Sequence, residues 1–432
     1  MSSVWEKKRN FGKFNELSGD INTDILIIGG GIAGLLCAYK LHQQGADYVL
    51  VEKGEICSGV TENTTAKITA QHGLIYTDLL RRFGKEYTKL YLEANLKAVE
   101  DYRSLCKNID CDFENENSFV YSILDQKKIK DEINALKYIG FDAKFKPTLP
   151  LPVKTAGAVC FLGQAQFNPL KFLGEISRGL NIYEHTKVLE MKKNVALTSK
   201  GKINAKRVII ATHFPFLNKH GAYFLKMFQH RSYVLGLENA QQVDGIYIDE
   251  QKTGLSFRNY GDLLLLGGGS HRTGKKGGGY KELEAFARKN YPNAKIKYRF
   301  ATQDCMTLDD VAYIGRYSPA TPDLFVTTGF NKWGMTTALL GAELLCDMLC
   351  GKRNPYEEIF SPRRSIFRPQ LAVNAFETVT NLLTPTTPRC PHLGCALKWN
   401  KEERSWDCSC HGSRFDEKGR VLNNPATDDL KI

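Results

Sequence analysis

No apolar leader opens this 432-residue chain. Its first twenty residues, MSSVWEKKRNFGKFNELSGD, are polar, and no secretory signal is legible in them. No run of about 18 apolar residues escapes charges and breakers, so no membrane-spanning helix is expected. The most apolar stretch, Asp24 to Leu41, is interrupted by glycines. Internal repeats and low-complexity tracts are absent as well. The net charge is +12, yet the basic pairs and triplets (Lys7-Lys8-Arg9, Arg81-Arg82, Lys192-Lys193, Lys275-Lys276, Arg363-Arg364) do not interleave with aromatics as a nucleic-acid surface would. No nucleic-acid partner is therefore expected. The charge suits a solvated basic surface, or attraction to an acidic electron-transfer partner. With 42% hydrophobic and 25% charged residues, the composition is that of a globular protein with a sizeable core. The length allows two or three domains. Eight of the twelve cysteines (Cys37, Cys57, Cys106, Cys111, Cys160, Cys305, Cys346, Cys350) are scattered through core or helix patterns. They read as small buried hydrophobes in a reducing cytoplasm rather than as a disulfide framework.

The other four cysteines are different. They stand in two short boxes, Cys390-Pro391-His392-Leu393-Gly394-Cys395 and Cys408-Ser409-Cys410-His411-Gly412-Ser413. Cys390, His392, Cys408 and His411 give the spacing C-x-H-x15-C-x2-H. A Rieske-type [2Fe–2S] cluster needs that set, with two Cys on one iron and two His on the other. Two Cys and two His also suit a structural zinc ion. Zinc leaves the extra cysteine in each box and the glycine after His411 without a purpose. The boxes closely resemble those of Rieske proteins. In that resemblance Cys395 and Cys410 bond to each other and clamp the two cluster loops together.

Near the start, Asp24 to Ile28 is a β-branched apolar run that reads as a buried strand. Gly29-Gly30-Gly31-Ile32-Ala33-Gly34 follows, then helical apolar spacing to Gln44, a stop at Gly45, and a second strand, Asp47 to Glu52. This is a βαβ unit with G-x-G-x-x-G at Gly29, Gly31 and Gly34, and an acid, Glu52, 18 residues on. Gly29 permits the tight turn, Gly31 lets a pyrophosphate approach the backbone, and Gly34 lets helix and strand pack closely. The helix N-terminus favours the phosphates, and Glu52 suits a ribose hydroxyl.

Three further segments belong with this unit. Glu52-Lys53-Gly54 is followed by Ser58 to Lys67 (SGVTENTTAK). Asp309 to Arg316 (DDVAYIGR) precedes Leu324 to Thr336 (LFVTTGFNKWGMT), a strand, a glycine turn and a second helix start. Together they resemble FAD-dependent oxidoreductases of the D-amino-acid-oxidase and glycine-oxidase class, and more closely the branch with a C-terminal Rieske domain. The resemblance runs from Thr23 to Gly351 and from Cys390 to Leu430. It implies that Gly29, Gly31 and Gly34 hold the pyrophosphate of FAD. Glu52, with Lys53 beside it, would meet the ribose, and the backbone of Val188 the adenine. Thr64, Thr65 and Lys67 would lie along the flavin, and Gly329, Trp333, Gly334 and Met335 would close over its pyrimidine end.

The expected fold is α/β: a discontinuous Rossmann-like FAD-binding domain (21–80, 160–215 and 305–352) and an α+β substrate domain (81–159 and 216–304). A linker (353–388) and a small all-β Rieske unit (389–432) complete it. Residues 75 to 106 predict one or two amphipathic helices. His72, His271 and Arg272 are the polar candidates for the pocket. His72 and Arg272 are the expected catalytic residues, Arg272 as a bidentate clamp on a carboxylate. No convincing acid–base dyad is visible, which hydride transfer to a flavin tolerates. Rieske domains normally carry strands before the first box, whereas Thr384-Pro385-Thr386-Thr387-Pro388 leaves little room for them here. A unit of 43 residues from Cys390 needs the cluster, a clamp or docking for stability. Phe415 stands where high-potential Rieske proteins carry a Tyr donor, so the midpoint potential is expected to be low. The leading expectation is a dehydrogenase: a small amine or amino-acid-like substrate reduces FAD, and electrons leave through the cluster to an external acceptor. An oxygen-using oxidase with a vestigial cluster unit, and a carrier or redox sensor without a substrate, are the alternatives.

Overall fold

The computed structural model describes residues 3–5, 11–251, 254–385 and 388–431. Lys7-Lys8-Arg9 lies outside the described residues, as do Thr386 and Thr387 of the Thr-Pro run.

Strand Ile21–Ile28 is buried from Ile25 onward and turns at Gly29 into helix Ile32–Gln43, which leads to strand Tyr48–Val51. Gly29 has φ 110°, and a Cβ there would lie 2.6 Å from the Ala211 carbonyl oxygen. A Cβ on Gly34 would stand 1.9 Å from the Gly29 carbonyl oxygen. Only glycine lets this helix lie so close to the turn.

The first sheet has eight strands. Its main path runs Tyr313–Ser318, Thr321–Thr328, Gly201–Ile210, Ile21–Ile28, Tyr48–Val51 and Ile182–Tyr183. The pairings along this path are parallel except at the Tyr313–Ser318 edge. Helices Ile32–Gln43 and Gly334–Leu349 pack on each other. The apolar runs Ile25 to Ile28, Tyr48 to Val51 and Val208 to Ile210 follow from burial on both faces.

The second sheet has nine strands, largely antiparallel. Lys295–Thr307, Met227–Glu238 and Leu263–Arg272 form one side, and Glu114–Ser122 and Gly157–Gln166 the other. The expected boundary at residue 160 falls inside strand Gly157–Gln166, which pairs along Glu114–Ser122. The expected helical stretch is Tyr76–Leu105, broken at Gly84, where φ is 79°.

The third sheet has four antiparallel strands, Leu397–Asn400, Ser405–Cys408, Arg414–Asp416 and Val421–Asn423. Before it, much of the expected linker is a helix, Pro369–Leu383. Its polarity is inverted: Asn374 and Asn381 are buried, while Phe376, Val379 and Leu383 are exposed. The small unit is also not free-standing, because buried polar contacts dock it on the second sheet, as described next.

Candidate functional site

A cavity of about 1150 Å³ runs between the two large sheets. Gly29, Gly31, Glu52 and Lys53 line it at the glycine turn, and Val188, Thr64, Thr65 and Lys67 line it too. Trp333, Gly334 and Met335 are also on the lining. Gly34 and Gly329 are not on the lining. Gly34 acts through helix packing, and Gly329 shapes its turn with φ 71°. Both oxygens of Glu52 are held, by Gly30 N–H at 2.7 Å and Gly54 N–H at 3.0 Å, which fixes the carboxylate at the second strand end. The Ile32 N–H donates to Thr61 Oγ1 at 3.0 Å, an anchor that the motif did not disclose. A cavity of this volume with a glycine turn, a helix N-terminus and a fixed acid is suited to a dinucleotide.

The charged lining beyond Glu52, Lys53 and Lys67 was not anticipated from sequence. The Lys67 ammonium donates to Thr65 Oγ1 at 3.2 Å and Ser256 Oγ at 3.1 Å. Burial, with Arg258 and Lys332 nearby, brings it down to about 7. Asp304, also on the lining, is pushed up to about 6 by burial, against the pull of Lys332 and Arg231. His213 lines the cavity too, and burial lowers it to about 4.

The two residues expected to be catalytic have other work. His72 is on the lining but buried. Its Nδ1 meets Tyr91 Oη at 2.7 Å, and its Nε2 meets the Thr69 carbonyl at 2.9 Å and Thr336 Oγ1 at 3.1 Å. Burial lowers it to about 3, so it stays neutral. Its ring stacks on that of Trp333, another lining residue, at 5.0 Å. Arg272 does not face the cavity. Its guanidinium donates to the carbonyls of Ser409 at 2.9 Å and Cys410 at 3.0 Å and to Asn374 Oδ1 at 2.9 Å. The expected carboxylate clamp is a clamp on the cysteine box. His271 is likewise engaged, by Tyr233 Oη and the Arg272 carbonyl.

In the third sheet the two boxes converge. Each turns back on itself, with Gly394 N–H bonded to the Cys390 carbonyl and Gly412 N–H to the Cys408 carbonyl. The Cys408 thiol lies beside Cys390, Cys395 and Cys410, whose thiols hold its own well below the ordinary range. The rings of His392 and His411 are 5.0 Å apart. His392 Nε2 donates to Asn218 Oδ1 at 2.9 Å, whereas its buried Nδ1 has no hydrogen-bond partner among the described residues. Neither buried nitrogen of His411 has one either. Burial holds both imidazoles below their usual value, His392 at about 4. Orphaned imidazole nitrogens beside paired thiols are the donor set a [2Fe–2S] cluster requires, so the residues fit that group. The expected Cys395–Cys410 disulfide is not formed: both are free thiols. The Sγ atoms of Cys395, Cys408 and Cys410 pack within 4.8 Å of one another, against about 2.05 Å for a bonded pair.

The boxes press on the second sheet through polar groups. Gln229 donates to the His411 and Asn424 carbonyls, both at 2.8 Å, and Gln303 donates to the Gly412 carbonyl at 2.7 Å. A Cβ on Gly274 would meet Ser409 N at 2.7 Å. Glu403 bonds Arg231 of the second sheet and Arg414 of its own unit. Burial alone would raise Glu403, but Arg231 and Arg414 outweigh it and hold the carboxyl at about 2.

Comparison with known proteins agrees with this geometry. The family model for FAD dependent oxidoreductases, DAO, matches residues 24–348, and that for the Rieske [2Fe-2S] domain matches 370–432. The chain is 32% identical to YhfW of Bacillus subtilis (strain 168), which bears a Rieske 2Fe-2S iron-sulfur designation, across 99% of this chain and 97% of that protein. Over 43 residues it is 51% identical to a cytochrome b6-f complex iron-sulfur subunit of Nostoc punctiforme, covering 10% of this chain and 24% of that subunit. The fold is similar to that of glycine oxidase from Geobacillus kaustophilus (TM-score 0.65, 19% identity, 80% of this chain and 99% of that one). No helix among the described residues is long and apolar enough to cross a membrane. The chain belongs to the DAO family of FAD dependent oxidoreductases and carries a C-terminal Rieske [2Fe-2S] domain, so its cofactors are FAD and a [2Fe–2S] cluster.

Proposed function

We propose that this enzyme oxidises a small amine or amino-acid-like substrate and delivers the electrons through its Rieske domain to an external acceptor. FAD supplies hydride acceptance, and the cluster supplies one-electron transfer. The observation that carries this reading is the short stretch of chain between cavity and boxes. Thr212 and His213 line the cavity, and the ring of the next residue, Phe214, lies 6.5 Å from that of His411. Thr212 and Phe214 also accept hydrogen bonds from Asn424 of the Rieske domain, at 2.5 and 2.7 Å. Docking this tight keeps a one-electron path fixed rather than dependent on domain motion.

In this reading the glycine turn holds the pyrophosphate, Glu52 the ribose, and Val188 the adenine. Thr64, Thr65, Lys67, Trp333, Gly334 and Met335 surround the ring system, with Gly329 setting the turn. Cys390 and Cys408 hold one iron and His392 and His411 the other, with the thiols of Cys395 and Cys410 packed beside them. The charged lining supports an amino-acid-like substrate. Lys67 and Lys332 suit a carboxylate, and Asp304, close enough to Lys332 to feel its charge, suits an amine. The +12 charge suits an acidic acceptor protein. A cytoplasmic setting, with the scattered cysteines as thiols, is part of the same reading.

The test is a screen of amines and amino acids under argon, following flavin bleaching and cluster reduction together. The proposal expects a substrate that bleaches the flavin and then reduces the cluster. A flavin that bleaches while the cluster stays oxidised, with peroxide released once oxygen is admitted, would instead indicate an oxidase.

A further inference from the structure

We infer that the C-terminal loop of the Rieske domain, residues 421–429, is a wall of the FAD site, so that dinucleotide binding and Rieske docking form one coupled equilibrium. The inference rests on placing the adenosine end at Val188. It does not require electrons to pass between the cofactors.

The cavity lining is drawn from both domains. Thr186, Lys187 and Val188 share it with Val421, Leu422, Asn423, Asn424, Thr427 and Asp429, and Lys187 reaches Thr427 directly. This loop is tied to the flavin side at two points that also line the cavity. Asn424 Nδ2 donates to the Thr212 carbonyl at 2.5 Å, and Lys187 Nζ donates to the Thr427 carbonyl at 2.5 Å. The loop is tied equally to the cysteine boxes. Ala426 N–H donates to Ser413 Oγ at 3.0 Å, and the Ser413 carbonyl accepts from Cys408 N–H at 2.9 Å. Gln229 holds the His411 and Asn424 carbonyls with one amide nitrogen. Asp429 Oδ1 closes the loop on itself by accepting from Val421 N–H at 2.9 Å. A ligand lodged between Val188 and this loop therefore meets surface from both domains. Val421 and Leu422 offer apolar contact, and Asn423, Thr427 and Asp429 offer hydrogen bonds. Whatever the ligand gains from the loop exists only in the docked state, and linkage makes the effect reciprocal: FAD favours docking, and docking tightens FAD.

The test uses the full chain with its cluster in place and FAD removed. Binding of FAD, ADP and FMN is titrated in the parent, Leu422→Asp, Asn424→Ala and Arg404→Ala. Leu422 is 47% exposed, so its replacement leaves folding intact and puts a negative charge on the wall. Arg404 pairs with Glu417 on the exposed surface and serves as the control. Iron content and the visible spectrum confirm that the Rieske domain is folded. Leu422→Asp and Asn424→Ala are expected to weaken FAD and ADP about tenfold or more, within the usual span of coupling between sites. FMN and the Arg404→Ala control are expected to be unaffected. Hydrogen exchange at residues 421–429 in the parent is expected to slow on adding FAD. FAD and ADP affinities unchanged in both loop variants, or loop exchange that ignores FAD, would overturn the inference. Failure of the electron relay would instead appear as a flavin reduced beside an oxidised cluster, with these affinities still linked.

Discussion

Replacing Glu403 by Gln removes one charge from a buried chain of ions joining the Rieske domain to the second sheet. Glu403 Oε1 accepts from Arg231 Nε at 2.9 Å and from Tyr233 Oη at 3.0 Å, and Oε2 bonds Arg414 at 2.9 Å. The Arg231 and Glu403 side chains are 8% and 11% exposed, so solvent screens them little. A neutral amide at this position would leave the buried Arg231 without its direct ion-pair partner, while Arg414 would keep Asp407 at 2.9 Å. Breaking a buried pair by removing one partner costs about 3–5 kcal/mol. The carboxyl itself gives a similar figure. Its fall from 4.5 to about 2 is worth about 3.5 kcal/mol, at roughly 1.4 kcal/mol per pH unit. A depressed carboxyl stabilises fully above its unfolded value of 4.5, and the contribution is lost as pH falls toward 2. At neutral pH the Glu403→Gln variant should therefore show the whole loss. Urea unfolding, followed at once by cluster absorbance and flavin fluorescence, reads it. The cluster transition should move to lower urea by the equivalent of about 3.5 kcal/mol and separate from the flavin transition. A loss under about 1 kcal/mol, the range of exposed pairs, would refute the reasoning.

Four further outcomes are expected. Gly34→Ala puts a Cβ 1.9 Å from the Gly29 carbonyl and should abolish FAD retention, whereas Gly31→Ala meets Thr61 Oγ1 at 3.3 Å and should fold but bind FAD weakly; the flavin-to-protein absorbance ratio reads both. Arg272→Lys loses the fork on the Ser409 and Cys410 carbonyls, so cluster reduction should slow while substrate reduction of the flavin stays within about twofold, where a catalytic role would cost far more. Flavin reduction by substrate should fall as pH rises through about 7, the value to which burial brings Lys67, because the ammonium that suits the substrate carboxylate is lost, and Lys67→Met should flatten that profile in single-turnover measurements. The midpoint potential should lie below the top of the Rieske range, about +300 mV, and Phe415→Tyr should raise it in a redox titration.

What could be read from the sequence was local. The glycine turn, its strand and Glu52 lie within about thirty residues, the length of a βαβ unit, and each has a fixed geometric duty. The cysteine boxes declare their chemistry by spacing alone. The docking surface was hidden because its partners are distant in the chain: Arg272 meets a loop 137 residues later, and Gln229 one 182 residues later. An arginine at a strand end looks the same in sequence whether it clamps a substrate or a neighbouring backbone. His72 looked catalytic because its loop adjoins the flavin, but its two nitrogens are spent on Tyr91, Thr69 and Thr336. Helix Pro369–Leu383 passed for a linker because the residues it buries include Asn374 and Asn381, the reverse of the usual pattern. Asp304 gave no signal of its own among the polar residues of strand Lys295–Thr307.

The most direct measurement needs no knowledge of the substrate. The flavin of the intact, cluster-loaded protein is reduced by a light pulse under argon, and the paramagnetic signal of the reduced cluster is followed by rapid freezing. If Phe214 and the docked boxes form a working path, the cluster signal should grow in step with re-oxidation of the flavin and at a rate independent of protein concentration. A flavin that remains reduced beside an oxidised cluster, or transfer that speeds up with protein concentration, would contradict a relay within one chain.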